Sequence, residues 1–145
     1  MSDNKEELRI LYQIRIDFER SRASIVRSQG ITKKTPKLKK IFDKYNAQLI
    51  CQYDAFKGFV DACEKDNNTD FALYRWTKDT ISKKEKIEKY TKSFTVYLND
   101  NQLYEKSLAD ALELELKSIN CASILKIYKY DSNPANNPQP PKKYL

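Results

Sequence analysis

Apolar side chains recur at alternating steps of four and three residues between Leu38 and Cys63. This spacing places them along one side of an α-helix of about seven turns. A helix with such a stripe is unstable alone and must pack against partners in the same chain or in another. The predicted packing residues are Leu38, Phe42, Tyr45, Leu49, Phe56, Phe59 and Cys63, interrupted only by the polar Gln52.

Glycine is scarce, and this restricts the fold further. The 145 residues include two glycines, whereas folds with many tight turns need glycine at those turns. Hydrophobic residues make up 40% of the chain and charged residues 32%, which is typical of a folded, amphipathic chain. We therefore expect an all-α fold, because long helices with few connections need almost no glycine.

The periodicity and the capping residues predict four long helices. These cover residues 4–29, 36–65, 70–98 and 102–129. Gly30 is placed to end the first helix, and Thr35 followed by Pro36 is placed to start the second. Gly58 lies inside the second helix, and we expect a close crossing with a neighbouring helix there.

The last part of the chain has a different character. Residues 123–130 are rich in β-formers, but no partner strand is evident, so a continued helix is preferred to a short strand. Four of the five prolines lie in residues 131–145. The sequence thus predicts an elongated antiparallel bundle over residues 1–130, followed by an extended Pro/Asn-rich tail or linker over residues 131–145. Open coiled-coil hairpins completed by a second chain are the alternative.

The net charge of +7 is concentrated in two lysine clusters. Residues 31–44 contain six lysines and one acidic residue, and residues 83–92 contain five lysines and two acidic residues. Such clusters attract nucleic acid, an anionic membrane surface or an acidic protein; the alternative is a solvated helix face. The candidate anion-binding residues are Lys33, Lys34, Lys37, Lys39, Lys40, Lys44, Lys83 and Lys84.

Lysines and aromatic residues are interleaved at residues 126–130. Aromatic side chains next to cations can stack on nucleic-acid bases. Tyrosines more often cover the edge of a core with the hydroxyl group in water. The pattern therefore leaves both roles open for these residues.

The residue types needed for most catalytic sites are missing. The chain has no histidine, which removes the commonest general base and the Ser–His and Cys–His nucleophile systems. Its three cysteines are scattered and cannot close a zinc site, and two glycines do not suffice for a glycine-rich phosphate loop. We therefore expect no enzymatic activity, no cofactor and no metal.

We expect no signal peptide and no transmembrane segment. The first ten residues are charged and lack the apolar core of a signal peptide. No apolar run approaches the roughly 20 residues that span a bilayer. An odd number of cysteines suits a reducing compartment. We expect an intracellular location, cytoplasmic or nuclear.

Two segments carry a family resemblance. Residues 20–27 (RSRASIVR) and residues 38–45 (LKKIFDKY) resemble the N-terminal region of Gag polyproteins of BEL/Pao-type LTR retrotransposons. Those proteins often open with a basic helix containing a small-Ile-x-Arg element, followed by a long helix of the form Leu-x-x-x-(Phe/Trp)-x-x-(Phe/Tyr). The ending, residues 140–145, resembles the linker that leads into a capsid-like segment in that family.

The resemblance implies a role for the basic segments. Residues 20–27 and 33–44 would belong to an assembly and RNA-proximal region. It also implies that the chain is a piece of a longer polyprotein, without the zinc knuckles, protease and reverse transcriptase of such elements.

The functional prediction combines these observations. We expect a non-enzymatic helical assembly module, Gag-like, that self-associates as a dimer or higher oligomer through its apolar stripe. Its basic patches would meet RNA or an anionic surface. The alternative is a monomeric four-helix adaptor that binds a protein partner through a groove.

Overall fold

The fold combines helices with a sheet, so the expected all-α bundle is wrong. The computed structural model describes residues 11–32, 35–133 and 140–144. The strands are β1 (Leu11–Phe18), β2 (Ala47–Cys51), β3 (Ser93–Leu98), β4 (Tyr104–Glu105) and β5 (Ile124–Asp131). The helices are α1 (Arg20–Gln29), α2 (Pro36–Tyr45), α3 (Gln52–Lys65), α4 (Ala72–Ser82), α5 (Lys84–Tyr90), α6 (Lys106–Lys117) and a 3-10 helix at Lys142–Tyr144.

The five strands form one antiparallel sheet with β1 at its centre. Strand β5 pairs with one edge of β1, while β3 and β4 pair with successive parts of its other edge. Strand β2 lies outside β3. The order β2-β3-β1-β5 and the connecting helices have the split β-α-β arrangement known as ferredoxin-like. Helices α3, α4 and α5 form an insertion between β2 and β3.

The hydrophobic core lies on one face of this sheet. Ile14, Ile16 and Phe18 of β1 are fully buried there, and the ring of Phe18 meets that of Phe94 edge-on at 5.5 Å. Helices α1, α2 and α6 cover this face. They contribute the buried side chains Ala23, Val26, Leu38, Phe42, Ala109, Leu112 and Leu116.

The first predicted helix contains the central strand instead. Tyr12, Ile14, Ile16 and Phe18 alternate with polar residues, which is the period of a half-buried strand. Leu11, Ile14 and Phe18 also fit a helical spacing, and this overlap explains the wrong prediction. Residues 4–10 lie outside the described part of the chain. Gly30 does end α1, as predicted.

The predicted long stripe helix is broken into a helix, a strand and a second helix. Thr35 and Pro36 start α2 as predicted, but Asn46 adopts the left-handed conformation and ends it. Leu38 and Phe42 pack into the core from α2, whereas Leu49 lies on β2. Phe56, Phe59 and Cys63 follow on α3, which with 14 residues is the longest described helix, so the coiled-coil expectation is wrong as well.

The polar interruption of the stripe has a structural role. Gln52 is buried at the start of α3, and its side-chain amide donates a hydrogen bond of 2.6 Å to Ser93 Oγ on β3. This bond fixes the inserted helices to the end of the sheet. Gly58, further along α3, has no heavy atom within 4 Å of the position a Cβ would take, so the expected close crossing is wrong.

The third and fourth predicted helices are also divided. Residues 70–98 form α4, α5 and β3, and residues 102–129 form β4, α6 and most of β5. All three of these strands pair with β1, far away in the sequence. The predicted tail begins at the last residue of β5. Its 3-10 helix docks on α4, where Arg75 donates a hydrogen bond of 2.9 Å to the carbonyl oxygen of Tyr144.

Candidate functional site

A cleft of about 1020 Å³ lies between the sheet and the inserted helices. Its floor is the sheet face that points away from the core. The strands alternate, so the residues between the core positions project to this side. Gln13 and Arg15 of β1, Thr95 and Tyr97 of β3, and Tyr130 of β5 form the floor.

Aromatic side chains from all three inserted helices line the walls of the cleft. Helix α3 contributes Phe56 and Phe59, α4 contributes Trp76, and α5 contributes Tyr90. The rings of Phe56 and Tyr90 meet edge-on at 5.1 Å. Trp76 is the only tryptophan of the chain. These rings provide flat apolar surfaces next to a polar floor.

Among the residues that the structure describes, the ionised groups that line the cleft are all cations. They are Arg15 on the floor, Lys83 and Lys86 near the start of α5, and Lys143 in the 3-10 helix. Within the described ranges, no aspartate or glutamate lines the cleft. Low-dielectric walls focus the field of such charges. The cleft is therefore suited to an anionic ligand.

Arg15 is held in place by a buried glutamine and a tyrosine ring. Its Nε donates a hydrogen bond of 2.6 Å to Gln13 Oε1, and its guanidinium carbon lies 3.9 Å from the ring centroid of Tyr130. Gln13 is only 5% exposed, and its Nε2 donates to the carbonyl oxygen of Gln102 at 3.2 Å. The guanidinium group is thus oriented on the floor of the cleft.

The Asp79 carboxylate contacts two residues that line the cleft near the 3-10 helix. The Tyr144 hydroxyl donates a hydrogen bond to the Asp79 carboxylate, and Lys83 Nζ lies 3.3 Å from the same group. These two partners hold the pKa of Asp79 below its usual value. Asp79 in turn raises the pKa of Lys83. Lys83 therefore stays charged at neutral pH while it lines the cleft.

The structure separates the two predicted lysine clusters. Lys83 lines the cleft and Lys84 is exposed beside it. The other described lysines of the predicted site lie on α2, which covers the opposite face of the sheet. Of these, Lys37 and Lys40 are exposed, whereas Lys39 pairs with Asp43 and Lys44 pairs with Glu115, both at 2.9 Å. Lys33 and Lys34 lie outside the described residues.

The floor of the cleft was missed in the sequence. Gln13 and Arg15 occupied one turn of a predicted helix, where no common role for them was apparent. The alternation of polar and apolar residues along β1 was the sequence signal for the floor, since the polar residues of such a strand share one face. Tyr130 belongs to the interleaved segment 126–130 but could be placed opposite Gln13 only by the strand register.

Comparisons with known proteins give no relative. No family model matches the chain, and no curated protein or solved structure matches it. The resemblance to Gag polyproteins therefore stays a prediction. None of the described helices is long and apolar enough to cross a membrane. The described residues also contain no group of three His, Cys, Asp or Glu side chains placed to hold a metal ion.

Proposed function

We propose that this protein is a non-enzymatic module that binds single-stranded nucleic acid in the cleft between the sheet and α3–α5. The observation that carries the proposal is the lining of the cleft, where every ionised group among the described residues is a cation and the walls include the rings of Phe56, Phe59, Trp76 and Tyr90. Proteins that bind single strands combine a positive groove for the backbone with aromatic rings for the bases. The sequence of the bases matters little in this mode, because every base has a flat face.

The shape of the site supports the same proposal. A volume of about 1020 Å³ lies at the upper end of the range for small-molecule sites and leaves space for more than one nucleotide. RNA-recognition modules stack bases on aromatic side chains of a four-stranded sheet. Tyr97 and Tyr130 lie on the corresponding open face here. This parallel concerns the architecture alone.

Self-association through the apolar stripe is not proposed. Leu38 and Phe42 are buried in the core of this chain, so they are not available to a second copy. An intracellular location remains our proposal, and the free thiols of Cys51, Cys63 and Cys121 are compatible with a reducing compartment. A Gag-like role in assembly near RNA would be compatible with the cleft but is not required by it.

The test measures binding of a fluorescently labelled single strand of about ten nucleotides by anisotropy. The double variant Lys83→Glu/Lys86→Glu reverses two charges in the cleft. Its matched control, Lys37→Glu/Lys40→Glu, makes the same change of net charge on α2. We expect the cleft variant to lose affinity by about tenfold or more and the control to lose much less. Affinity for the wild-type protein should fall steeply with added salt.

Three outcomes would contradict the proposal. Wild-type protein that does not bind the strand at low salt would exclude it. Equal losses in the two double variants would indicate general attraction to a basic surface. Binding to vesicles of anionic phospholipid, without binding to the strand, would point to a membrane surface instead.

A protein-binding adaptor is the second candidate, favoured by two exposed leucines. Leu114 on α6 is 74% exposed and Leu125 on β5 is 65% exposed, and the two would mark an interface if they belong to one contiguous apolar patch. The double variant Leu114→Ser/Leu125→Ser should keep strand binding. If it instead abolishes co-purification of a cellular protein in high salt, the adaptor function gains support.

A further inference from the structure

Arg15 differs from the other cations of the cleft because it lies on the central strand. Lys83, Lys86 and Lys143 line the cleft from the insertion and from the 3-10 helix. Arg15 is flanked in the sheet by Thr95 on β3 and by Tyr128 on β5. It therefore lies at the centre of the floor, on a strand that is paired along both edges.

The hydrogen bonds of Gln13 orient the guanidinium group without ambiguity. The carbonyl oxygen of Gln102 only accepts, so it must face the Gln13 amide nitrogen at 3.2 Å. The Nε–H of Arg15 only donates, so it must face the Gln13 oxygen at 2.6 Å. Both ends of this buried amide are thus determined by their partners. Gln13 acts as a positioning residue for Arg15.

The remaining donors of Arg15 are available. A guanidinium group has five N–H donors in one plane, and Gln13 takes one of them. Tyr130 covers one flat face at 3.9 Å, so the plane of the group is set as well. In the parts of the chain that the structure describes, neither terminal amino group has a hydrogen-bond acceptor. The two groups form a fork that lines the cleft.

We infer that this fork is a phosphate subsite, in which the two terminal amino groups of Arg15 donate to two oxygens of one phosphate group. The planar fork matches the spacing of phosphate oxygens and gives two parallel charge-assisted hydrogen bonds. A phosphate is favoured over a carboxylate because Lys86 and Lys143 add further positive charge to the same cleft, whereas the charge of Lys83 is paired with Asp79. The inference rests on the proposed function and assigns the position of one phosphate within it.

The phosphate group can belong either to the backbone of single-stranded nucleic acid or to a free nucleoside monophosphate. Trp76 lines the cleft and is the only tryptophan, so its fluorescence reports occupancy. The wild-type protein is titrated with a nucleoside 5′-monophosphate, the same nucleoside without phosphate, and single strands with either a hydroxyl or a phosphate at the 5′ end. We expect the monophosphate to bind at least about tenfold more tightly than the nucleoside.

The variant Arg15→Lys keeps the charge and removes the fork. We expect it to lose about tenfold in affinity for the monophosphate while the affinity for the nucleoside stays the same. Arg20→Lys is the matched control, since Arg20 is an exposed residue at the start of α1, and it should change neither affinity. If Arg15→Lys weakens both strands, the subsite takes a backbone phosphate. If it weakens only the 5′-phosphorylated strand, the subsite takes a terminal phosphate.

Several results would overturn the inference. One is equal affinity of the wild-type protein for the nucleoside and its monophosphate, which needs no variant and so does not depend on how Arg15→Lys folds. Another is an unchanged affinity of Arg15→Lys for every phosphate-bearing ligand. If the protein still binds single-stranded nucleic acid in either case, the proposed function remains supported. Wild-type binding of the monophosphate alone would instead support the subsite and contradict the proposed strand binding.

Discussion

The side-chain hydroxyl of Tyr104 accepts a hydrogen bond of 2.8 Å from the backbone N–H of Ile14. The same hydroxyl donates a bond of 2.9 Å to the carbonyl oxygen of Val96. It lies where the partner of β1 changes from β3 to β4. The Tyr104 side chain therefore provides hydrogen-bond partners for two buried backbone groups at the point where β1 passes from β3 to β4.

Replacing this hydroxyl should destabilise the fold clearly. The variant Tyr104→Phe leaves the Ile14 N–H and the Val96 carbonyl buried without a partner, so we expect a loss of about 1–3 kcal/mol in the free energy of unfolding. Urea denaturation followed by circular dichroism measures it. Tyr128→Phe is the control and should stay within about 0.5 kcal/mol, because Tyr128 is half-buried and the contact of its ring with the Lys126 ammonium group does not need the hydroxyl. Equal effects of the two changes would refute this role.

Stability should also fall in alkaline solution. Burial raises the pKa of Tyr104 to about 12, whereas a tyrosine in the unfolded chain has a pKa of about 10. The neutral phenol is thus favoured in the folded state, and this contribution is complete below pH 10 and lost between about pH 10 and pH 12.

The expected loss from Tyr104 over this interval is about 2–3 kcal/mol. Tyr104→Phe should therefore show a weaker decline than the wild-type protein in denaturation curves measured across that range. Some decline remains, because the hydrogen bond to Glu115 raises the pKa of Tyr45 to about 12 as well. An increase in wild-type stability over this range would contradict the assignment.

Gly58 offers a simple stabilising change. It lies inside α3, and its surroundings leave space for a methyl group. Alanine loses less conformational entropy in a helix, so Gly58→Ala should raise the free energy of unfolding by about 0.5–1 kcal/mol. A thermal melt provides the measurement. A decrease in melting temperature would indicate a close contact at Gly58 after all.

Asn46 controls the transition from α2 to β2. Its φ of 50° and ψ of 49° are left-handed, and its side-chain amide donates a hydrogen bond of 2.7 Å to Asn99 Oδ1. Asn46→Ala should lower the free energy of unfolding by about 1–2 kcal/mol, because the left-handed conformation is unfavourable for alanine. Asn46→Gly should cost less, since only the exposed hydrogen bond is lost. Chemical denaturation of both variants tests this order, and the reverse order would rule out backbone conformation as the reason.

Local signals in the sequence predicted local features well. Gly30, Thr35 and Pro36 mark helix ends because capping depends on a few neighbouring residues. Strand pairing depends on distant residues, and Tyr130 meets Gln13 only in the folded sheet. Residues 123–130 therefore looked like a strand without a partner. The sequence predicts a helix for the partner, β1, because its apolar residues fit both the helical and the strand period.

The candidate site was predictable only in part. Lys83 was recognised because a charge cluster is visible along the chain, and it does line the cleft. Arg15 carries no such signal, since its importance comes from Gln13 and Tyr130 beside it in the sheet. The larger cluster around Lys37 and Lys40 was expected near the same partner, but α2 places it on the other side of the sheet.

The central position of β1 has a consequence for synthesis of the protein. Every strand that pairs with β1 comes from residues 93–131. At a translation rate of about 5–20 residues per second, β1 waits on the order of ten seconds before its last partner has been made. During that time it has two unpaired edges and one apolar face, features that promote aggregation. We therefore expect the nascent chain to expose an aggregation-prone segment until β5 has been made.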